Sequence, residues 1–167
     1  MRLIFMLAAM LSVNLCQEAK AADEFPKRKE GLWEVSISSE AGNQIMKQCI
    51  DSATDAKFQQ IAGQAGQNCT KQNVQHDGNT YSTESECSMA GTKIRARAIF
   101  KGDFFTNYQG DISATYDPPL MGTSKGDTKI TARWLSACEA GQQPGDMIMP
   151  NGMKMNIAQM SKLSAAH

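Results

Sequence analysis

The sequence predicts a mainly β fold, a β-rich α+β domain whose antiparallel meander forms a strongly curved sheet or open barrel. Three observations carry that expectation. Apolar and polar residues alternate with a period of two through five segments, which sets one face of each strand against a core and the other in water. Turn dipeptides, Asp77-Gly78, Ala90-Gly91 and Gly102-Asp103 among them, separate the segments at hairpin spacing. Helical signals are confined to a short stretch after Asp51 and to the tail.

Glu30 to Ser38 opens the series, with Trp33, Val35 and Ile37 on one face and Glu34, Ser36 and Ser38 on the other. Ala41-Gly42-Asn43 turns the chain, and Gln44 to Ile50 pairs back as a second strand. Asp51-Ser52 starts a short helix to about Gly63, with Ala56, Phe58 and Ile61 among its apolar residues; the Gly- and Gln-rich stretch from Gly63 to Asn68 is a loop. From Cys69 the chain reads as successive hairpins. Tyr81, Thr83, Ser85, Cys87 and Met89 share a face, and Ile94, Ala96, Ala98 and Phe100 alternate with Lys93, Arg95 and Arg97. Phe104, Tyr108, Ile112, Ala114 and Tyr116 follow at even spacing. Asp117-Pro118-Pro119 is expected to end that strand, because proline cannot donate to a ladder, and to begin a loop running to Gly126-Asp127. Thr128 to Cys138, with Ile130, Ala132 and Trp134 aligned, is the last strand expected, and Asn156 to Leu163 reads as a terminal helix.

Residues 1–21 have the three parts of a secretory signal: a positive start at Met1-Arg2, an apolar run from Leu3 to Leu15, and the A-x-A site Ala19-Lys20-Ala21. The run, at roughly 13 residues, is too short to span a bilayer. Cleavage after Ala21 is expected, leaving residues 22–167 as a single domain that is periplasmic or secreted. Cys16 raises lipidation as an alternative, but the bulky Leu15 before it argues against lipoprotein processing. Loss of Arg2, Glu18 and Lys20 leaves 15 basic and 16 acidic residues, a net charge near −1 that offers no field for nucleic acid. Stable membrane insertion after cleavage, a nucleic-acid partner and a cofactor are not expected, and the chain is expected to be a monomer.

Four cysteines remain after the leader, none two residues apart, so zinc-knuckle and thioredoxin-like C-x-x-C patterns are absent. In an oxidising compartment they are disulfide candidates with three possible connectivities. Folding the chain about Asp77-Gly78 brings Cys69 opposite Cys87, which leaves Cys49 for Cys138.

Taken together, Pro26-x-x-x-Glu30-Gly31-Leu32-Trp33-Glu34-Val35, Cys49 with Asp51, the Cys69 and Cys87 hairpin, Phe100-Lys101-Gly102-Asp103-Phe104, and Cys138 before Gly141-x-x-Pro144-Gly145-Asp146 fall in a familiar order. The chain resembles the exported bacterial family catalogued as domain of unknown function 3617, over nearly the whole mature sequence. The resemblance implies a bacterial periplasmic or secreted protein and implies no activity or functional residues.

No catalytic residues emerge. His76 sits beside a turn, and no G-x-S-x-G elbow presents a nucleophile to it. Glu84 and Glu86 read as solvated charges of one strand face, and the 141–145 segment lacks the G-x-x-x-x-G-K-[ST] pattern of a phosphate loop. Two features carry binding expectations. Trp33, Tyr81, Phe100, Tyr108, Tyr116 and Trp134 are candidates to line a pocket on the concave side of the sheet. Met147, Met149, Met153 and Met155, with Met160 beyond, are expected to pack against the open end of the sheet; as soft thioethers in M-x-M pairs they are the alternative ligands for Cu(I) or Ag(I). The expected function is thus a non-catalytic exported module that binds a protein partner or a small hydrophobic, lipid-like ligand.

Overall fold

The structure is a computed structural model that describes residues 25–64 and 68–159. The expected leader, Met160 and the second half of the expected terminal helix lie outside the described residues; of its first half, Asn156 ends a strand and residues 157–159 are helical. The elements run β1 (Gly31–Ser39), β2 (Gly42–Ile50), α1 (Ser52–Gln64), β3 (Asn68–Asp77), β4 (Thr80–Met89), β5 (Thr92–Gly102), β6 (Asn107–Leu120), β7 (Thr123–Ser136), β8 (Asp146–Ile148) and β9 (Lys154–Asn156). The nine strands form one curved, unclosed antiparallel sheet in the order β3-β4-β5-β6-β7-β1-β2-β8-β9. The predicted β-rich fold is therefore the observed one.

Register follows the alternation. Trp33, Val35 and Ile37 lie opposite Trp134, Ala132 and Ile130, and Ile94, Ala96, Ala98 and Phe100 opposite Tyr116, Ala114, Ile112 and Gly110. All of these stand on one face, here the inner face. The outer face carries opposed charges such as Arg133–Glu34 at 2.8 Å and Arg95–Glu86 at 3.8 Å, exposed pairs that contribute little to stability. Tight two-residue turns fix the register. Ala90-Gly91 and Met121-Gly122 both have two positive φ angles, the mirror-image turn whose twist matches that of paired strands.

Three boundaries differ from the sequence expectation. The β3–β4 turn is Gly78-Asn79, one residue past the expected dipeptide. Strands β6 and β7 also run well past the prolines, to a turn at Met121-Gly122, in place of the expected loop from Asp117 to Asp127. The reason lies in pairing: the last β5 partner of β6 is Asp117, and no β6–β7 pair falls between Thr115 and Leu120. Pro118 and Pro119 thus occupy positions where a missing N–H costs no ladder bond. Finally, the methionine-rich segment, expected as a tail without strands, forms the hairpin β8–β9 on the far side of β2.

Helix α1 begins with reciprocal capping. The Thr54 N–H donates to Asp51 Oδ1 at 2.8 Å while the Asp51 N–H donates to Thr54 Oγ1 at 2.9 Å. The helix leaves the end of β2, level with the start of β1, and delivers the chain to Asn68, level with the end of β4. Its 13 residues, about 20 Å long, therefore cross the inner face diagonally. Burial records that path. The core cluster of Trp33, Val35, Ile50 and Ala132 lies toward the helix start, with Phe58 packed on it, and the buried Cys87 and Ile94 lie toward its end. Two disulfides brace the ends: Cys49–Cys138 ties β2 to the segment after β7, and Cys69–Cys87 joins register partners of β3 and β4. Such crosslinks fit an oxidising, exported environment. No helix among the described residues is long and apolar enough to cross a membrane.

Candidate functional site: the inner face of the sheet

The inner face has three zones, each set by what crosses it. The first is a buried polar cluster where the segment 25–30 meets α1. Asp55 is 1% exposed and Arg28 7% exposed. Arg28 Nε donates to Asp55 Oδ1 at 2.7 Å, its backbone N–H to Oδ2 at 3.0 Å, and its Nη1 to Gln48 Oε1 at 3.1 Å. Gln59 Nε2 adds a bond to Asp55 Oδ2 at 3.2 Å. The Arg28 guanidinium also lies 5.3 Å from the centre of the Trp33 ring. Burial pushes the nearby Tyr108 hydroxyl above its ordinary pKa; the charge of Arg28 opposes this and that of Asp55 reinforces it.

The second zone is an aromatic row. Tyr108 stacks with Phe104 at 5.7 Å, Phe104 meets Tyr81 edge-on at 4.8 Å, and His76 stacks on Tyr81 at 4.7 Å. Phe25 closes over Tyr81 at 5.4 Å and Phe100 at 5.3 Å. Phe104 is held in the left-handed region, φ 57°, inside the turn between β5 and β6. Asp103 fixes that turn: its Oδ1 accepts the N–H groups of Thr106 at 2.7 Å and Asn107 at 2.9 Å, and its Oδ2 accepts Thr106 Oγ1 and Asn107 Nδ2. These bonds, that from the Thr106 N–H foremost, hold the Asp103 carboxyl below its usual pKa. Gly102 is required beside it, because a Cβ there would collide with the Asn107 carbonyl and Tyr108 backbone.

The third zone is apolar and extends from the core cluster along the distal halves of β1, β6 and β7, with Ile37, Ile130 and Met46 of β2 packed against that cluster and Tyr116 opposite Ile94. Ile37, Met46, Ile112, Ala114, Tyr116 and Ile130 are all half-buried there. Large exposed apolar side chains occur elsewhere and singly, at Ile45, Phe105, Met121 and Met153.

The six aromatics expected to line one pocket are therefore divided. Trp33, 0% exposed, is core, and its indole N–H donates to the Lys29 carbonyl at 2.7 Å. Tyr81, Phe100 and Tyr108 belong to the packed row. Trp134 is capped by Lys29, whose Nζ lies 3.5 Å from its ring centre, and donates to the Glu30 carbonyl. Tyr116 stands apart, its hydroxyl beside Gly126, and alone of the six belongs to the apolar zone. Open depressions lie elsewhere: one of about 300 Å³ among Glu84, Glu86, Arg95 and Arg97, and one of about 470 Å³ beside Lys101 and Asn107. The residues missed in the sequence are Arg28, Asp55 and Phe25. Nothing local marks Arg28 as the buried member of Lys27-Arg28-Lys29, since its partner is 27 residues away. Asp55 carried a faint signal, an acid one turn into a helix that must cross an apolar face.

The methionines expected to pack or to bind soft metal are brought together. Met147 lies opposite Met155, and the Met149 N–H donates to the Met153 carbonyl at 2.9 Å as the hairpin closes. Among the described residues there is no group of three or more His, Cys, Asp and Glu placed to hold a metal ion.

No curated protein and no solved structure is significantly similar to the chain. One family does match, from Arg28 of the buried ion pair to Cys138 of the long disulfide: the chain belongs, through residues 28–138, to the family described as protein of unknown function (DUF3617).

Proposed function

We propose that the protein is a non-catalytic, exported binding module that holds a slender apolar or amphiphilic molecule on the inner face of its sheet. The observation that carries the reading is the state of the third zone. Ile37, Ile112, Tyr116 and Ile130 are half-buried, on a face that α1 crosses only diagonally. A protein partner is favoured by a broad exposed apolar patch. Half-buried side chains along a curved sheet face favour a narrow hydrocarbon chain, with Met46 as an adaptable wall. The leader expected at residues 1–21 and the two disulfides support an extracytoplasmic setting.

Native mass spectrometry of protein exported with both disulfides intact tests this, together with displacement of a bound 1-anilinonaphthalene-8-sulfonate probe by fatty acids of defined length. A co-purified small molecule, or saturable displacement that Ile130→Lys abolishes while the fold persists, is the expected result. Absence of both overturns the reading, as does a stoichiometric protein partner in a crosslinking pull-down that Ile130→Lys releases.

A further inference from the structure

We propose that the β8–β9 hairpin carries a binding site for a soft monovalent cation, Cu(I) or Ag(I), built from the thioethers of Met147, Met149, Met153 and Met155. The site shares no residue with the apolar zone proposed above, although Met147, opposite Gln48, stands on the same face of the sheet. Extended-chain periodicity puts Met147 of β8 and Met149 just past it on one face of the hairpin, and Met155 of β9 and Met153 just before it on the same face. The register sets Met147 against Met155. Met149 and Met153 are the closing pair, since the Met149 N–H donates to the Met153 carbonyl and the Gly152 N–H to the Met149 carbonyl. Directly opposed residues have Cβ atoms about 4.5–5.5 Å apart, and methionine has three rotatable bonds beyond its backbone, so four sulfurs can converge on one ion.

The hairpin does not need these side chains to hold it. Its opposite face does that work: Asn156 Nδ2 donates to Asp146 Oδ1 at 2.9 Å, Lys154 Nζ lies 3.2 Å from Asp146 Oδ2, and Lys154 also reaches the Gly141 carbonyl. Backbone bonds from Gly145 N–H to the Cys49 carbonyl and from Ile157 N–H to the Gly145 carbonyl anchor it to the sheet. The methionine face is thus a preformed set of uncharged soft donors on a fixed frame. Met153, 51% exposed at the rim, gives an ion a way in, while Met147, Met149 and Met155 are half-buried.

The donor chemistry selects the ion. Thioethers are soft and neutral; they favour Cu(I) and Ag(I) over Zn(II), Mg(II) or Ca(II), which take nitrogen or oxygen donors. Thiolate competition is removed, because Cys49, Cys69, Cys87 and Cys138 are all in disulfides. Met46, the neighbouring methionine on β2, is engaged otherwise, accepting from Gln48 Nε2 at 3.9 Å. Met121, 98% exposed on the β6–β7 turn, is the natural control.

The test uses the full exported chain with disulfides intact. Ag(I) is titrated and followed by native mass spectrometry, and Cu(I), kept reduced with ascorbate, is titrated against a chromophoric chelator. Wild type is expected to take up one ion, and a variant with all four methionines replaced by leucine to bind at least a hundredfold more weakly at unchanged circular dichroism, because leucine keeps the volume and removes the sulfur. M121L is expected to bind as wild type does. No uptake by wild type, or equal uptake by the folded quadruple variant, overturns the proposal. Should the quadruple variant unfold, the rim variant M153L decides: about tenfold weakening supports the site and unchanged affinity overturns it.

Discussion

Replacing Asp55 with alanine removes the only carboxylate facing the buried guanidinium of Arg28 among the described residues. In the folded protein Asp55 accepts from the Arg28 backbone N–H, Arg28 Nε and Gln59 Nε2, and its own side chain is 1% exposed. The alanine variant therefore leaves a charge, 7% exposed, with the neutral Gln48 and Tyr108 side chains as its remaining hydrogen-bond partners. Breaking a buried pair from one side costs about 3–5 kcal/mol. In a domain of this size that corresponds to a fall in melting temperature of about 10 °C or more. Removing both charges with bulk retained, Arg28→Met with Asp55→Leu, deletes the desolvation cost along with the attraction, and is expected to lie within about 1–2 kcal/mol of wild type. Urea unfolding of the wild type, Arg28→Met, Asp55→Leu and the double variant, with disulfides intact, closes the cycle, and Asp55→Ala is measured beside it. The reasoning fails if Asp55→Ala costs less than about 1 kcal/mol, or if the double variant is as damaged as the single.

The disulfides should differ in weight. On the loop-entropy argument, losing Cys49–Cys138, whose ends are 89 positions apart, costs about 4.5 kcal/mol, and losing Cys69–Cys87, 18 positions apart, about 3 kcal/mol; denaturant midpoints of the two double-alanine variants check the order. Stability should also fall in acid. Asp51 and Asp103 are held below the usual value of 3.8, chiefly by the Thr54 and Thr106 backbone N–H groups respectively, and Asp146 is lowered because its bonds from Asn156, Gln143 and Lys154 outweigh the opposing effect of burial. A carboxyl lower in the folded than in the unfolded state contributes stability that is present above 3.8 and lost as the pH falls through the folded value. Thermal melts between pH 6 and 2 should therefore decline mainly below about pH 4, and a flat profile would refute it.

What the sequence made legible is what depends on neighbours along the chain. Period-two alternation placed Trp33, Val35 and Ile37, and Ile94, Ala96, Ala98 and Phe100, on the faces they occupy, because strand geometry alone dictates that periodicity. The prolines at 118 and 119 misled because whether proline breaks a strand depends on whether its position is paired, and pairing is a tertiary fact. The methionine hairpin was hidden for a related reason: strands of three residues are too short to show alternation, and β8 exists because β2 offers it an edge. The aromatic row was half legible. Even spacing marked the rings as inner-face residues, but nothing local distinguishes a ring packed under Phe25, as Phe100 is, from one lying against Gly126 away from the aromatic row, as Tyr116 is.

The two proposed sites stand differently toward the family. The apolar zone lies on β1, β2, β6 and β7, inside the matched span of residues 28–138, and so do the Arg28–Asp55 pair and the turn fixed by Asp103. The features that aim α1 across the sheet and leave the distal halves of β1, β6 and β7 half-buried therefore belong to the part of the chain that defines membership. Strands β8 and β9 begin after residue 138, beyond that span. They are nevertheless joined to it by the Cys49–Cys138 bridge and by the Gly145 bond to the Cys49 carbonyl, which positions the Pro144-Gly145-Asp146 turn without using a methionine. The inner-face reading thus concerns residues inside the matched span, whereas the thioether site concerns a hairpin beyond it whose frame would survive loss of its sulfurs. Failure of Ag(I) binding would therefore leave the inner-face reading untouched, and failure of hydrocarbon binding would leave the methionine face intact.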